Sequence, residues 1–160
     1  MKLLSHDGER LVFLLSLREV KSMRHLVALG AAAHRGTVRL SHAPEALPPS
    51  AVEDFNAAIA LQQRANREFL QQLFSPTSAQ LTAPTRGRRG FGLTLSRAEV
   101  ERFLQALNEI KLAHWEYLGC PEFEVDEIPE VHPTNFPSMW LMDAVNELQM
   151  LFLRALASPD

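Results

Sequence analysis

Residues Phe91 to Cys120 read FGLTLSRAEVERFLQALNEIKLAHWEYLGC, and this stretch decides the fold. Leu93-Thr94-Leu95 alternates apolar and polar, the period of a half-buried strand. Ser96 stands three residues before Glu99. That is the spacing of a capping box: the serine oxygen accepts a free helix N–H, and the glutamate reaches back to the serine N–H. A helix is therefore predicted from Arg97. Val100, Phe103, Leu104, Leu107, Ile110, His114, Tyr117 and Leu118 recur at three- and four-residue steps and share one face. Glu101, Arg102, Gln105, Glu109, Lys111 and Glu116 fall mainly elsewhere. Gly119 supplies the left-handed residue that stops a helix, and Pro121 opposes resumption.

The same device stands earlier in the chain. Phe13 to Leu15 runs into Ser16 and Glu19, again at capping-box spacing. A helix is predicted from about Leu17 to Gly30 or slightly beyond, with Val20, Met23, Val27 and Ala31 on one side and Leu26 and Leu29 beside them. Two strand–cap–helix units make the two strands candidates for one small sheet. Upstream, Asp7-Gly8 between apolar runs is a hairpin signal, because a type I′ turn needs positive φ at both central positions. Leu11, Phe13 and Leu15 would face one side of that second strand. Val12 and Leu14 are apolar too, which predicts cover on both faces.

Between the two units the signals are weaker. Thr37-Val38-Arg39-Leu40 is a candidate third strand, and Ser41 to Pro49, with three prolines, a connection. Ser50 and Glu53 repeat the box spacing, so a helix is predicted from Ala51 to about Phe74. Its apolar stripe (Val52, Phe55, Ile59, then Phe69, Leu70, Leu73) is interrupted by Gln62 and Asn66, an amide pair expected at the edge of the core. Leu81 to Gly90 reads as a loop that carries Arg86, Arg88 and Arg89 among glycines. After Cys120 come Glu122, Glu124, Asp126, Glu127 and Glu130 in a proline-containing loop that lacks the EF-hand glycine and final glutamate. A last helix is predicted from Ser138 to Ala157. Trp140, Leu141, Val145, Leu148 and Phe152 lead an apolar arc too wide for one ordinary core contact.

Composition sets outer limits. A chain of 160 residues, 46% hydrophobic and 22% charged, suits one domain over residues 1–160. One cysteine, Cys120, excludes an intramolecular disulfide framework and multi-cysteine metal sites, and is read as a structural thiol. Met1-Lys2-Leu3-Leu4 runs into Ser5-His6-Asp7-Gly8 without an apolar signal core, and no run approaches a membrane span, so a cytoplasmic protein off the membrane is expected. The net charge of −3 is uneven. Residues 1–120 hold 15 Lys/Arg against 11 Asp/Glu, whereas residues 121–160 hold one arginine against 8 acids. Such asymmetry marks either a partner surface or a basic region neutralised by its own acidic tail.

Chemistry-bearing patterns are few. His114 is the one imidazole on the central stripe, read either as a hydrogen-bonded core histidine or as a ligand or proton carrier. With Asp143, Glu147 and His132 it forms the only catalytic or metal-assisted constellation the sequence offers. No HExxH, nucleophile elbow, P-loop or dinucleotide fingerprint accompanies it. Arg86, Arg88 and Arg89 are the only candidate phosphate grip, without interleaved aromatics.

The two strand–cap–helix units resemble a bacterial, largely actinobacterial, family described only as a domain of unknown function. The likeness rests on Leu15-Ser16-Leu17 with Glu19 and on Leu93-Thr94-Leu95 with Glu99. It continues in Ala106-Leu107-Asn108-Glu109-Ile110-Lys111-Leu112, Leu118-Gly119, Leu148-Gln149 and Arg154-Ala155-Leu156. It covers both ends of the chain and fails over Ser50 to Pro76. It implies no activity.

The expectation is an α+β domain, mostly helical. A small antiparallel sheet, the N-terminal hairpin plus one later strand, is packed by about four helices. The first functional reading is a non-enzymatic interaction or regulatory protein. It would be a homodimer through Trp140, Leu141, Val145, Leu148 and Phe152, with the Ala51–Phe74 helix as a second contact and no cofactor. The alternatives are a metal-assisted or acid–base enzyme on His114 with Asp143 and Glu147, and a nucleic-acid binder through Arg86, Arg88 and Arg89.

Overall fold

A computed structural model describes residues 1–6, 9–33, 48–83, 90–121 and 132–157. The elements run β1 (Lys2–His6), β2 (Arg10–Leu15), α1 (Leu17–Ala33), α2 (Pro49–Leu73), β3 (Leu81–Thr82), β4 (Phe91–Ser96), α3 (Arg97–Tyr117) and α4 (Phe136–Ala157). This is the expected α+β arrangement, with four helices on a four-stranded antiparallel sheet of order β1-β2-β4-β3.

β2 and β4 lie side by side, as their shared pattern suggested, with Arg10 opposite Ser96 and Leu15 opposite Phe91. Each strand ends in a closed capping box. Ser16 N–H donates to Glu19 Oε2 at 2.7 Å, and Glu19 N–H donates to Ser16 Oγ at 3.2 Å. The Ser96–Glu99 box repeats these distances, 2.7 and 3.2 Å. Both boxes satisfy first-turn N–H groups that would otherwise be orphaned.

Alternation then decides what the sheet buries. Leu11 pairs with Leu95 and Phe13 with Leu93, and Leu81 of β3 also meets Leu93. These residues and Leu15 are all buried, so one sheet face is the floor of the core. Val12 and Leu14 on the other face are half-buried, less covered than their apolar character predicted.

α3 is the hub of the helical layer, since α1, α2 and α4 all pack against it. Its Val100, Phe103, Ala106, Leu107, Ile110 and Ala113 are buried. α1 approaches closely at Gly30, where an added Cβ would lie 2.7 Å from Ile110 side-chain atoms. An aromatic chain crosses the core: Phe13 lies 4.7 Å from Phe152, Phe152 4.8 Å from Phe103, and Phe103 6.1 Å from Phe74. Tilted rings at these spacings are favoured by their quadrupoles.

Four expectations need correction. α2 begins at Pro49, one residue past an N-cap Pro48 that makes no side-chain cap bond. Ser50 therefore lies inside the first turn and Glu53 just beyond it, and they do not cap it. Proline is suited to that first position because its φ is already helical and its missing N–H has no acceptor there anyway. Leu81–Thr82 is a strand, not loop, held by its pairing to β4. Tyr117, placed on the buried stripe of α3, is 74% exposed. α4 starts at Phe136. The Asp7-Gly8 turn and the Thr37–Leu40 strand fall outside the described residues.

Candidate functional site

α4 divides into two faces at helical spacing. Leu141, Val145 and Phe152 are fully buried, and Leu148 is half-buried against the same core. These four were expected to form a contact surface. Their burial assigns them to the chain's own interior, because they point at α3 and the sheet. Trp140 alone of the expected set remains outside, 44% exposed. Phe136, Met150, Leu151 and Leu153 are exposed with it. Phe136, Trp140, Asp143, Glu147, Met150 and Arg154 follow at alternating four- and three-residue steps, so they form one outer stripe. It is apolar at Phe136 and Trp140, acidic at Asp143 and Glu147, and apolar again at Met150.

Trp140 also lines an open groove of about 630 Å³ with Leu17, Arg18, Lys21, Ser22 and His25 of α1. Its two charged side chains, Arg18 and Lys21, are both basic. Arg18, Lys21 and His25 lie at steps of three and four, on the exposed face of α1. Sequence reading followed the apolar side of this helix and passed over them, although their spacing was visible. Which element they adjoin was not. α2 adds exposed Phe55 and Leu61 elsewhere on the surface.

His114 sits where α3 meets the start of α4. Its Nδ1 is 3.0 Å from the buried Ser138 hydroxyl. Its Nε2 is buried with no hydrogen-bond partner among the described residues. Burial lowers the imidazole pKa below its ordinary value. Asp143, Glu147 and His132 are exposed. Among the described residues no group of three or more His, Cys, Asp or Glu is arranged to hold a metal ion. The structure thus joins His114 to a hydroxyl and does not gather the proposed constellation around it.

A half-buried imidazole with a lowered pKa makes stability depend on acid. The unfolded chain takes up the proton first, so lowering the pH favours unfolding. The loss begins as pH falls through the ordinary histidine range near about 6.5 and is complete below the lowered folded value. His114→Asn retains a group able to bond Ser138 and removes the titration. Urea midpoints at pH 7.5 and 5.5 are expected to differ less for the variant than for the parent.

A second polar cluster lies between α2 and α3. Asn66 is fully buried. Its Nδ2 donates to Glu109 Oε1 at 2.8 Å, while its Oδ1 accepts from Gln62 Nε2 at 3.2 Å and Arg102 Nε at 3.4 Å. Arg102 also donates to the Ala65 carbonyl at 2.9 Å and lies 4.9 Å from the Phe69 ring centre. Burial pushes the Glu109 carboxyl above its usual range, against the Asn66 hydrogen bond and the nearby Arg67 charge. A cavity of about 10 Å³ beside the cluster, room for about one water, is lined by Asn66, Arg67, Gln71 and Glu109 together with apolar groups. The expected amide pair is real, but its anchor is a carboxylate that sequence reading placed outside the stripe.

Cys120 is exposed, just past Gly119 (φ 83°) at the end of α3. Arg86, Arg88 and Arg89 and the acidic residues 122–130 lie outside the described residues. No helix among those described is long and apolar enough to cross a membrane. No protein-family model, curated protein or solved structure matches this chain.

Proposed function

We propose that this chain is an interaction protein that associates with itself through the outer face of α4. The observation that carries the reading is the cluster of large apolar side chains that this one helix leaves in water: Phe136, Trp140, Met150, Leu151 and Leu153. Scattered exposed apolar residues are ordinary, but five on one helix, in two groups on either side of Asp143 and Glu147, suit a contact surface. Tryptophan, phenylalanine and methionine are enriched in such surfaces, where flat or flexible side chains bury large areas.

Light scattering on the intact chain tests the reading. The expected result at micromolar concentration is a mass twice the 18.0 kDa of one chain. A mass of 18.0 kDa across the whole accessible concentration range would overturn it.

A further inference from the structure

We infer that the partner is a second copy placed by a two-fold axis, with the α1 cations of one protomer facing the α4 carboxylates of the other. This rests on the self-association reading and narrows it, placing the contact at the Trp140 end of the outer face of α4, against α1 of the partner.

The surface around Trp140 is bipolar. On one side, across the groove, stand Arg18, Lys21 and His25. Along α4 stand Asp143 and Glu147, about 4.5 and 10.5 Å further down the helix axis at 1.5 Å per residue. All five are exposed. Among the described residues none of them carries an ion pair. Trp140 adjoins both sets, lining the groove with the basic residues and standing one turn before Asp143 on α4, and both Trp140 and Leu17 are open to water. The surface beside Trp140 therefore carries cations on its α1 side and carboxylates on its α4 side.

A two-fold interface presents the same patch on both copies. Rotation about an axis beside Trp140 lays each α1 side over the other copy's α4 side. One patch then satisfies both halves of the contact. The simplest competing arrangement lacks this property. Two α4 helices packed antiparallel along their outer stripes would centre on the acidic residues. Asp143 would face the partner's Glu147, and Glu147 the partner's Asp143. Like charges directly opposed are repulsive, and repulsion of this kind selects against the arrangement. The α1–α4 register removes it and supplies a cation for each carboxylate.

Two variants distinguish the registers. Arg18→Glu with Lys21→Glu makes both sides of the patch negative. Asp143→Lys with Glu147→Lys makes both sides positive. Each variant alone is expected to dissociate, with a dissociation constant raised roughly tenfold or more. Mixed in equal amounts, they are complementary in both halves, and a heterodimer is expected at twice 18.0 kDa. All four substituted positions are exposed, so folding is expected to be unchanged, as circular dichroism and thermal melts would verify. If the parent is dimeric and either variant alone remains as dimeric as the parent, this register is overturned while self-association stands. Monomeric variants that fail to combine on mixing overturn it equally. A monomeric parent overturns the self-association reading, and this register with it.

Discussion

Phe152→Ala is expected to cost about 3–5 kcal/mol of folding stability. The ring is fully buried and touches two others, Phe13 on the sheet and Phe103 on α3. Alanine removes the transfer free energy of the side chain and leaves a void bounded by elements that cannot all collapse into it. The sheet is tied by ladders to its neighbours, and α3 is held by three helices. Urea unfolding followed by circular dichroism would measure the loss as a drop in midpoint with little change in slope. Phe152→Leu, which keeps most of the volume, is expected to lose much less. A Phe152→Ala cost below about 1 kcal/mol would mean that α4 is not seated on the sheet as described.

Asn66→Ala is expected to cost about 2–4 kcal/mol at pH 7 and less at pH 4. The amide donates to a half-buried carboxylate, so its removal strands a charge, and stranding a charge costs more than losing a neutral hydrogen bond. The pH dependence follows from Glu109. Its folded pKa is raised, so the stability tied to its protonated form is fully present below the unfolded value and is lost as pH rises through the folded value. Deleting Asn66 raises that folded value further, which deepens the loss at neutral pH and leaves the acid side nearly unchanged. A double-mutant cycle with Glu109→Gln would isolate the coupling, expected to be larger at pH 7 than at pH 4. Equal costs at both pH values would show that the carboxylate is not the partner that matters.

Much of the architecture was readable because its signals are local. Ser16 with Glu19 and Ser96 with Glu99 announce helix starts from four residues of sequence, and both boxes are closed in the structure. The same spacing at Ser50 and Glu53 misled, because Pro49 had already begun the helix and left no free N-terminus there to cap. β3 was missed because two residues carry no alternation; only the pairing of Leu81 and Thr82 with β4 makes them a strand. On α3, Ala106 and Ala113 are buried and Tyr117 is not. Small residues signal burial weakly, and a stripe read from size overestimates what the end of a helix can cover.

The contact surface was less legible for a related reason. The wide apolar arc of α4 was plain, but which part of it faces the core depends on where α3 and the sheet stand. Leu141, Val145 and Phe152 turned inward, leaving Trp140 at the edge. The cations beside Trp140 belong to α1, far away in sequence, and no periodicity links the two. Glu109 poses the same problem, since its partner Asn66 is on another helix.

The strand order β1-β2-β4-β3 also dictates a sequence of events during synthesis. β1 and β2 are neighbours in the chain and can pair as soon as both are made. β2 must wait for β4 until α1 and α2 have been translated, because both lie between them. Through that interval Leu11, Phe13 and Leu15 have neither their lateral partner nor Phe152 above them. Non-local pairing of this kind slows folding and leaves a strand edge open to other chains. The nascent chain is therefore most exposed to aggregation between the emergence of β2 and that of β4, and the ring that seals Phe13 arrives later still.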